Sequence, residues 1–190
     1  MPIILNGLTS GSTTLQATDA VTQTITLPNN SGTVLTSAST QSAFPPNIAG
    51  NGPAFSAYYV GTGQNISLNT STKVILNTKD FDTASCFDTS TYRFTPNIAG
   101  YYQFNAQIRA SGVATYLSTY LYKNGSALIQ SEFLKDSSGY VGTTISGLIY
   151  LNGSTDYVEL YAISDGNPAT LRNDSIPYVS RLSGFLARSA

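Results

Sequence analysis

Apolar and polar side chains alternate over several stretches in the second half of this chain. Tyr102, Phe104, Ala106 and Ile108 are interleaved with Tyr101, Gln103, Asn105 and Gln107. Leu117, Thr119 and Leu121 are interleaved with Tyr116, Ser118, Tyr120 and Tyr122, and Val158, Leu160 and Ala162 with Tyr157, Glu159, Tyr161 and Ile163. A period of two sends successive side chains to opposite sides of a sheet, so each stretch predicts a strand with one face in a core. The opposite faces are too rich in tyrosine for a simple solvent face. A tyrosine ring buries apolar area while its hydroxyl keeps a hydrogen bond, which suits contact between copies. Tyr101, Tyr157, Tyr161 and Phe185 are the candidates for such contact.

Turn chemistry separates these strands. Asn124-Gly125, within Lys123–Ser126 and flanked by Tyr116–Tyr122 and Ala127–Gln130, predicts a tight hairpin, because Asn-Gly readily takes the positive φ angles it requires. Asn152-Gly153 predicts a second turn before Tyr157–Ile163. No segment carries a convincing helical period, so residues 54–190 read as an all-β head with strands at sandwich spacing. The stretch 44–53 is too rich in Pro and Gly for regular structure and reads as a linker. In residues 1–43, short strands are expected at Thr13–Ala17, Gln23–Leu27 and Thr33–Thr36. So small a sheet is marginal in water, and bundling of identical copies into a stem is the simplest remedy.

Charge sharpens the division. From Met1 to Thr72 the only ionisable side chain is Asp19, and the remainder holds all nine Lys/Arg and nine of the ten Asp/Glu. A disordered tail of such low charge with regularly spaced Val, Leu and Ile is not expected, since disorder usually goes with high net charge and low hydrophobicity. The net charge of −1 and the scatter of the basic residues argue against a nucleic-acid partner. There is no histidine and one cysteine, Cys86, which removes the commonest general base and any intrachain disulfide. No apolar run approaches the roughly 20 residues of a membrane helix, and Met1–Asn6 lacks the basic flank and apolar core of an export signal. Neither membrane insertion nor conventional secretion is expected.

Phe87-Asp88-Thr89-Ser90-Thr91-Tyr92-Arg93-Phe94-Thr95-Pro96, followed by Gly100-Tyr101-Tyr102-Gln103-Phe104, resembles the central signature of C1q-like domains. Ala54-Phe55-Ser56-Ala57 is similar to that family's opening strand, Leu121–Gly125 to its Lys-Asn-Gly hairpin, Asp156–Leu160 to a late strand and Ser183-Gly184-Phe185-Leu186 to its close. Tyr92 stands where the family usually has glycine, and Pro96 sits one place early. The resemblance implies a C1q/TNF-like jelly-roll β-sandwich that assembles as a compact homotrimer. There is no Gly-X-Y stalk. Instead, Gly11–Ala17, Thr24–Pro28 and Gly32–Thr36 resemble stem segments of bacteriophage structural proteins. The two resemblances together imply a virion fibre or spike, with the stem held by other virion proteins and the head outward. Calcium occurs in some relatives of C1q-like domains, and no other cofactor is implied.

Candidate chemistry is sparse. Asp80 and Asp82 lie two apart and would share one face of an extended strand, a geometry open to a hard cation or to glycoside hydrolysis. Without a glycine or a terminal bidentate Glu, Asn77–Asp82 is no EF-hand loop, and a solvated edge is the simpler reading. Cys86 reads as a small core residue. The Asn-X-Ser/Thr strings at Asn29, Asn65, Asn69, Asn124, Asn152 and Asn173 read as turns. Two irregular stretches, 135–140 and 164–174, are candidate receptor loops carrying Asp136, Tyr140, Asp165, Asn167, Arg172 and Asn173. Amides and carboxylates there would suit a host-surface glycan. The expected function is a non-enzymatic, homotrimeric virion fibre or spike whose head binds a host receptor, with tail and head positions on the particle both open. A head fibre or capsid decoration, a depolymerising tailspike and a secreted bacterial C1q-like ligand are the alternatives.

Overall fold

The computed structural model describes residues 3–6, 12–15, 52–135, 139–172 and 179–190. Two compact units are present, Met1–Ala38 and Ser39–Ala190. In the first, β1 (Ile3–Asn6) pairs antiparallel with β2 (Ser12–Leu15), Ile3 opposite Leu15 and Asn6 opposite Ser12. β2 covers most of the strand expected at Thr13–Ala17, whereas those expected at 23–27 and 33–36 and most of the 44–53 linker lie outside the described residues.

The second unit is a two-layered sandwich without helix among the described residues. Its strands are β3 (Ala54–Tyr58), β4 (Gln64–Ile66), β5 (Thr72–Lys73), β6 (Thr78–Asp82), β7 (Phe87–Asp88), β8 (Arg93–Phe94) and β9 (Ala99–Ser111), followed by β10 (Tyr116–Lys123), β11 (Ser126–Leu134), β12 (Tyr140–Asn152), β13 (Val158–Ser164), β14 (Ala169–Leu171) and β15 (Arg181–Ser189). A seven-stranded sheet runs β4-β14-β9-β15-β3-β6, with β12 on the other edge of β9. A six-stranded sheet runs β11-β10-β13-β8-β7, with β5 also on β13.

Strict alternation builds the core. Along β9, Gly100, Tyr102, Phe104, Ala106, Ile108 and Ala110 are buried, and along β12 Val141, Thr143, Ile145, Ile149 and Leu151. At the centre Phe55 stacks on Phe94 at 4.4 Å and on Phe87 at 5.1 Å, and Phe104 and Tyr102 meet Phe94 edge-on at 5.7 and 5.5 Å. Full burial of each such ring contributes about 1.5–3 kcal/mol. The aromatic block that carries the family resemblance is therefore packing material. Cys86 lies at its edge, buried, where desolvation pushes its thiol pKa up.

The turns hold as expected. Lys123 pairs with Ser126, leaving Asn124 (φ 52°) and Gly125 (φ 78°) as a two-residue loop. Asn152 ends β12, and its Oδ1 accepts from the backbone N–H groups of Ser154, Thr155 and Asp156 at 2.9–3.0 Å. Asn65 departs from the turn expectation, lying within β4. Tyr92 has a φ of 58° between β7 and β8, the left-handed conformation that glycine tolerates best.

Register fixes the long axis. The start of β9, the end of β12, the end of β15, Pro53 and the Asn124 hairpin gather at one end, the base. Asn124 Nδ2 donates to Asp156 at 2.7 Å and Leu186 N–H to Pro53 O at 3.0 Å there. The end of β9, the starts of β10 and β12 and the segment 165–168 lie at the opposite end, the tip.

Candidate functional site

Pairing maps the outward side chains of the seven-stranded sheet into rows. Nearest the base, Tyr150 faces Tyr101, which faces Arg188, and the tyrosine rings lie 5.4 Å apart. In the next row Leu148 and Phe185 flank Gln103. Tyr101, Leu148, Tyr150 and Phe185 are 43, 57, 42 and 48% exposed, a contiguous apolar patch of the kind that marks interaction surfaces. Tyr101, Leu148, Tyr150 and Arg188 line a shallow hollow of about 520 Å³. Toward the tip the rows turn polar: Ser146, Asn105 and Ser183, then Thr144, Gln107 and Arg181. Ser146 Oγ donates to Asn105 Oδ1 at 3.0 Å and accepts from Gln103 Nε2 at 2.8 Å.

Tyr157 and Tyr161 do not join this patch. They stand on the outer face of the six-stranded sheet, across the core from Tyr101 and Phe185, so the four expected contact residues form two separate surfaces. Their rings are engaged within the chain. Tyr161 stacks on Tyr122 at 4.0 Å, and Arg93 lies 4.1 Å over the Tyr157 ring. Between them Glu159, 1% exposed, receives Lys73 Nζ at 2.5 Å and Arg93 Nε at 2.7 Å on the same oxygen. That hydrogen bond raises the Arg93 pKa further, and burial together with Glu159 raises that of Tyr161. The tyrosine face read from alternation as a surface for contact between copies is thus a half-buried layer of rings over an ion triad centred on the buried Glu159.

The two acids expected to share a strand face are placed differently. A bulge in β6 sets Phe81 opposite Ser56 and Lys79 opposite Ala57, leaving Asp80 as the extra residue and breaking the alternation between Asp80 and Asp82. The Asp82 side chain, 3% exposed, accepts from the backbone N–H groups of Cys86 and Phe87, both at 3.0 Å, and from Lys79 at 3.2 Å. Burial opposes its charge, but these donors more than offset it and hold its pKa below the usual value. Asp82 therefore organises the β6–β7 turn. Among the described residues no three His, Cys, Asp or Glu side chains gather as a metal set.

At the tip the structure brings several loop candidates together. The Tyr140 ring lies under two guanidinium groups, Arg109 Cζ at 4.8 Å and Arg172 Cζ at 4.7 Å. Arg172 N–H donates to Arg109 O at 2.8 Å, which ties the end of β14 to β9. Asp165 exchanges backbone bonds with Thr115 and Tyr116, and the Asn167 carbonyl accepts from Ser164 Oγ at 2.8 Å. Asp136 and Asn173 lie outside the described residues. Arg109 was not a candidate, because it belongs to a strand rather than to a loop. Its signal was the outward phase of the β9 alternation.

This architecture recurs among solved structures. The globular domain of zebrafish complement 1qA protein superposes with a TM-score of 0.53 at 20% identity, covering 73% of this chain and 98% of that one. Eiger TNF from S. frugiperda gives 0.58 at 14% identity over 72% and 93%, and murine APRIL 0.54 at 14% over 70% and 98%. The head is a C1q/TNF-type jelly roll. At these identities the likeness establishes the fold alone. No protein-family model matches the sequence, and no curated protein does.

Proposed function

We propose that this chain is a homotrimeric fibre or spike protein of a bacteriophage particle, with a non-enzymatic jelly-roll head that binds a host-surface receptor, a glycan by preference. One observation carries the reading: the head is polar along its length. The chain enters at Pro53, at the base, where the exposed apolar patch of Tyr101, Leu148, Tyr150 and Phe185 also lies. The candidate receptor residues Tyr140, Asp165, Asn167 and Arg172 lie at the opposite end. A patch of this kind suits self-association, and a loop-bearing far end suits recognition. The resemblance of the first 40 or so residues to phage stem segments supplies the attachment arm, held by other virion proteins. The fold adds the trimeric expectation that goes with the C1q-like signature.

Two experiments test this. Labelling of intact particles with antibody to the head should place the protein on the virion surface, in a tail or a head fibre; its absence from purified particles would refute the virion role. Binding of the full chain to host cells should fall tenfold or more in Tyr140→Ser and Arg172→Ser with assembly unchanged. Undiminished binding by both would move recognition away from the tip.

A further inference from the structure

β12 holds two glycines, and packing accounts for one of them. A Cβ at Gly147 would strike Ile129 Cδ1, so the core requires glycine there. A Cβ at Gly142 would meet nothing nearer than Ile108 O at 3.7 Å, an ordinary contact, and its backbone is not left-handed. A glycine inside a strand often marks a place where a ligand or another backbone approaches closely. Gly142 is exposed and lies directly opposite Arg109 of β9, so the missing side chain leaves a notch beside that arginine.

The other flank of Arg109 holds a second cation. Leu171 of β14 is opposite Ala110, and Arg172 N–H donates to Arg109 O at 2.8 Å, so the two arginines are cross-strand neighbours. Like charges so placed repel. Both guanidinium groups nevertheless converge on one ring, that of Tyr140, with Cζ atoms 4.8 and 4.7 Å from its centroid, and Tyr140 stays 43% exposed. Even laid end to end, those two distances stay within the Debye length of about 10 Å at 0.1 M salt, so one bound anion feels both charges. The Asp165 carboxylate at the same end acts on Tyr116 of β10, in the other sheet. The chain as a whole has a net charge of −1, so any attraction for an anion is local to this cluster.

A guanidinium presents a planar fork of N–H donors that matches a carboxylate or a phosphate with two parallel bonds. The exposed tyrosine adds an apolar ring face and a hydroxyl. A neutral sugar would use the ring and leave two cations idle, and a bare inorganic anion would use the cations and leave the ring idle. A sugar that bears an anionic group uses both.

We infer that the notch at Gly142, flanked by Arg109, Arg172 and Tyr140, binds an acidic sugar of the host-surface glycan, its carboxylate or phosphate on the guanidinium groups and its ring against Tyr140. This deepens the reading of recognition at the tip and rests on it. The test is binding of the full chain to host cells. Capping cell-surface carboxylates with carbodiimide and glycinamide, or stripping phosphates with cold aqueous hydrofluoric acid, tells the two anions apart, and one treatment should lower binding tenfold or more. Arg109→Gln should do the same, as should Gly142→Val, which fills the notch without a backbone clash; both should keep the wild-type urea midpoint and assembly. Raised salt should weaken binding, and protease treatment of the cells should leave it intact, whereas loss after protease would assign the receptor to protein and overturn the sugar. Binding indifferent to both chemical treatments yet lost in Tyr140→Ser would overturn the acidic ligand and leave recognition at the tip. Full binding by Arg109→Gln or by Gly142→Val would overturn the notch as its site. Full binding by Tyr140→Ser and Arg172→Ser alike would instead remove the tip reading beneath it.

Discussion

Replacing Glu159 should unsettle the head more than any other single charge. The carboxylate is 1% exposed and accepts both Lys73 Nζ at 2.5 Å and Arg93 Nε at 2.7 Å. Removing one member of a buried ion pair typically costs about 3–5 kcal/mol, because the remaining charge is left without compensation. Here the survivors are cations whose side chains are 28 and 38% exposed, so water partly replaces the lost partner. The expected loss for Glu159→Ala is therefore nearer about 2–3 kcal/mol. Glu159→Gln keeps an oxygen that can accept from Arg93 and loses only the charge-assisted part, about 1–2 kcal/mol. Urea unfolding at pH 7 measures this, at one fixed protein concentration because association shifts apparent stability. Repeating Glu159→Gln in an Arg93→Met background should shrink its effect, since half of the attraction is already gone. A Glu159→Gln change below about 0.5 kcal/mol would refute the triad as a stabilising centre, since that is the range of an ordinary surface substitution.

Three further outcomes follow from particular residues. Thr119 is fully buried with an Oγ1 that lacks a hydrogen-bond partner among the described residues, so the nearly isosteric Thr119→Val should raise stability by about 1 kcal/mol in the same urea assay; a loss would contradict it. Tyr92 at φ 58° pays the left-handed penalty of about 1–2 kcal/mol, so Tyr92→Gly should leave the head as stable or slightly more so, and a fall beyond about 2 kcal/mol would show that its side-chain contacts dominate. Acid should weaken the fold: Ser90 and Thr91 hold the Asp88 pKa down to about 2, and Asp82 and Asp156 are also lowered. Groups with depressed folded pKa values stabilise fully above their unfolded values near 3.8 and lose that contribution as pH falls through the folded values, so the urea midpoint should hold from pH 7 to 5 and drop between pH 4 and 2. A midpoint flat to pH 2.5 would contradict these carboxylate contacts.

Much of the fold was legible because it is written locally. The alternation in 101–108 and 116–122 names the buried Tyr102, Phe104, Ala106 and Ile108 of β9 and Leu117, Thr119 and Leu121 of β10, though not Ser118, which is buried on the opposite face, and Asn124-Gly125 names its own turn. What alternation cannot say is which sheet a strand joins. It gave Tyr101 and Tyr161 the same description, an aromatic on the far side of a core strand, although they end on opposite layers. The partner of Arg93 is Glu159, 66 residues along, a distance over which no spacing rule operates. Asp80 and Asp82 lost their common face to a bulge, which depends on pairing with β3 rather than on β6 itself. Leu148 and Tyr150 could have been found, since Val141 to Leu151 alternates strictly except at Gly147, where a Cβ would strike Ile129 Cδ1.

The mass of the purified full chain in solution tests the central claim most directly. Light scattering across micromolar concentrations should give about three times the 20.1 kDa of one chain, and Phe185→Asp, which would set an unpaired carboxylate in the contact, should lower it. A stable species of 20.1 kDa, or a trimer indifferent to Phe185→Asp and Tyr101→Asp alike, would contradict assembly through the outer face of the seven-stranded sheet.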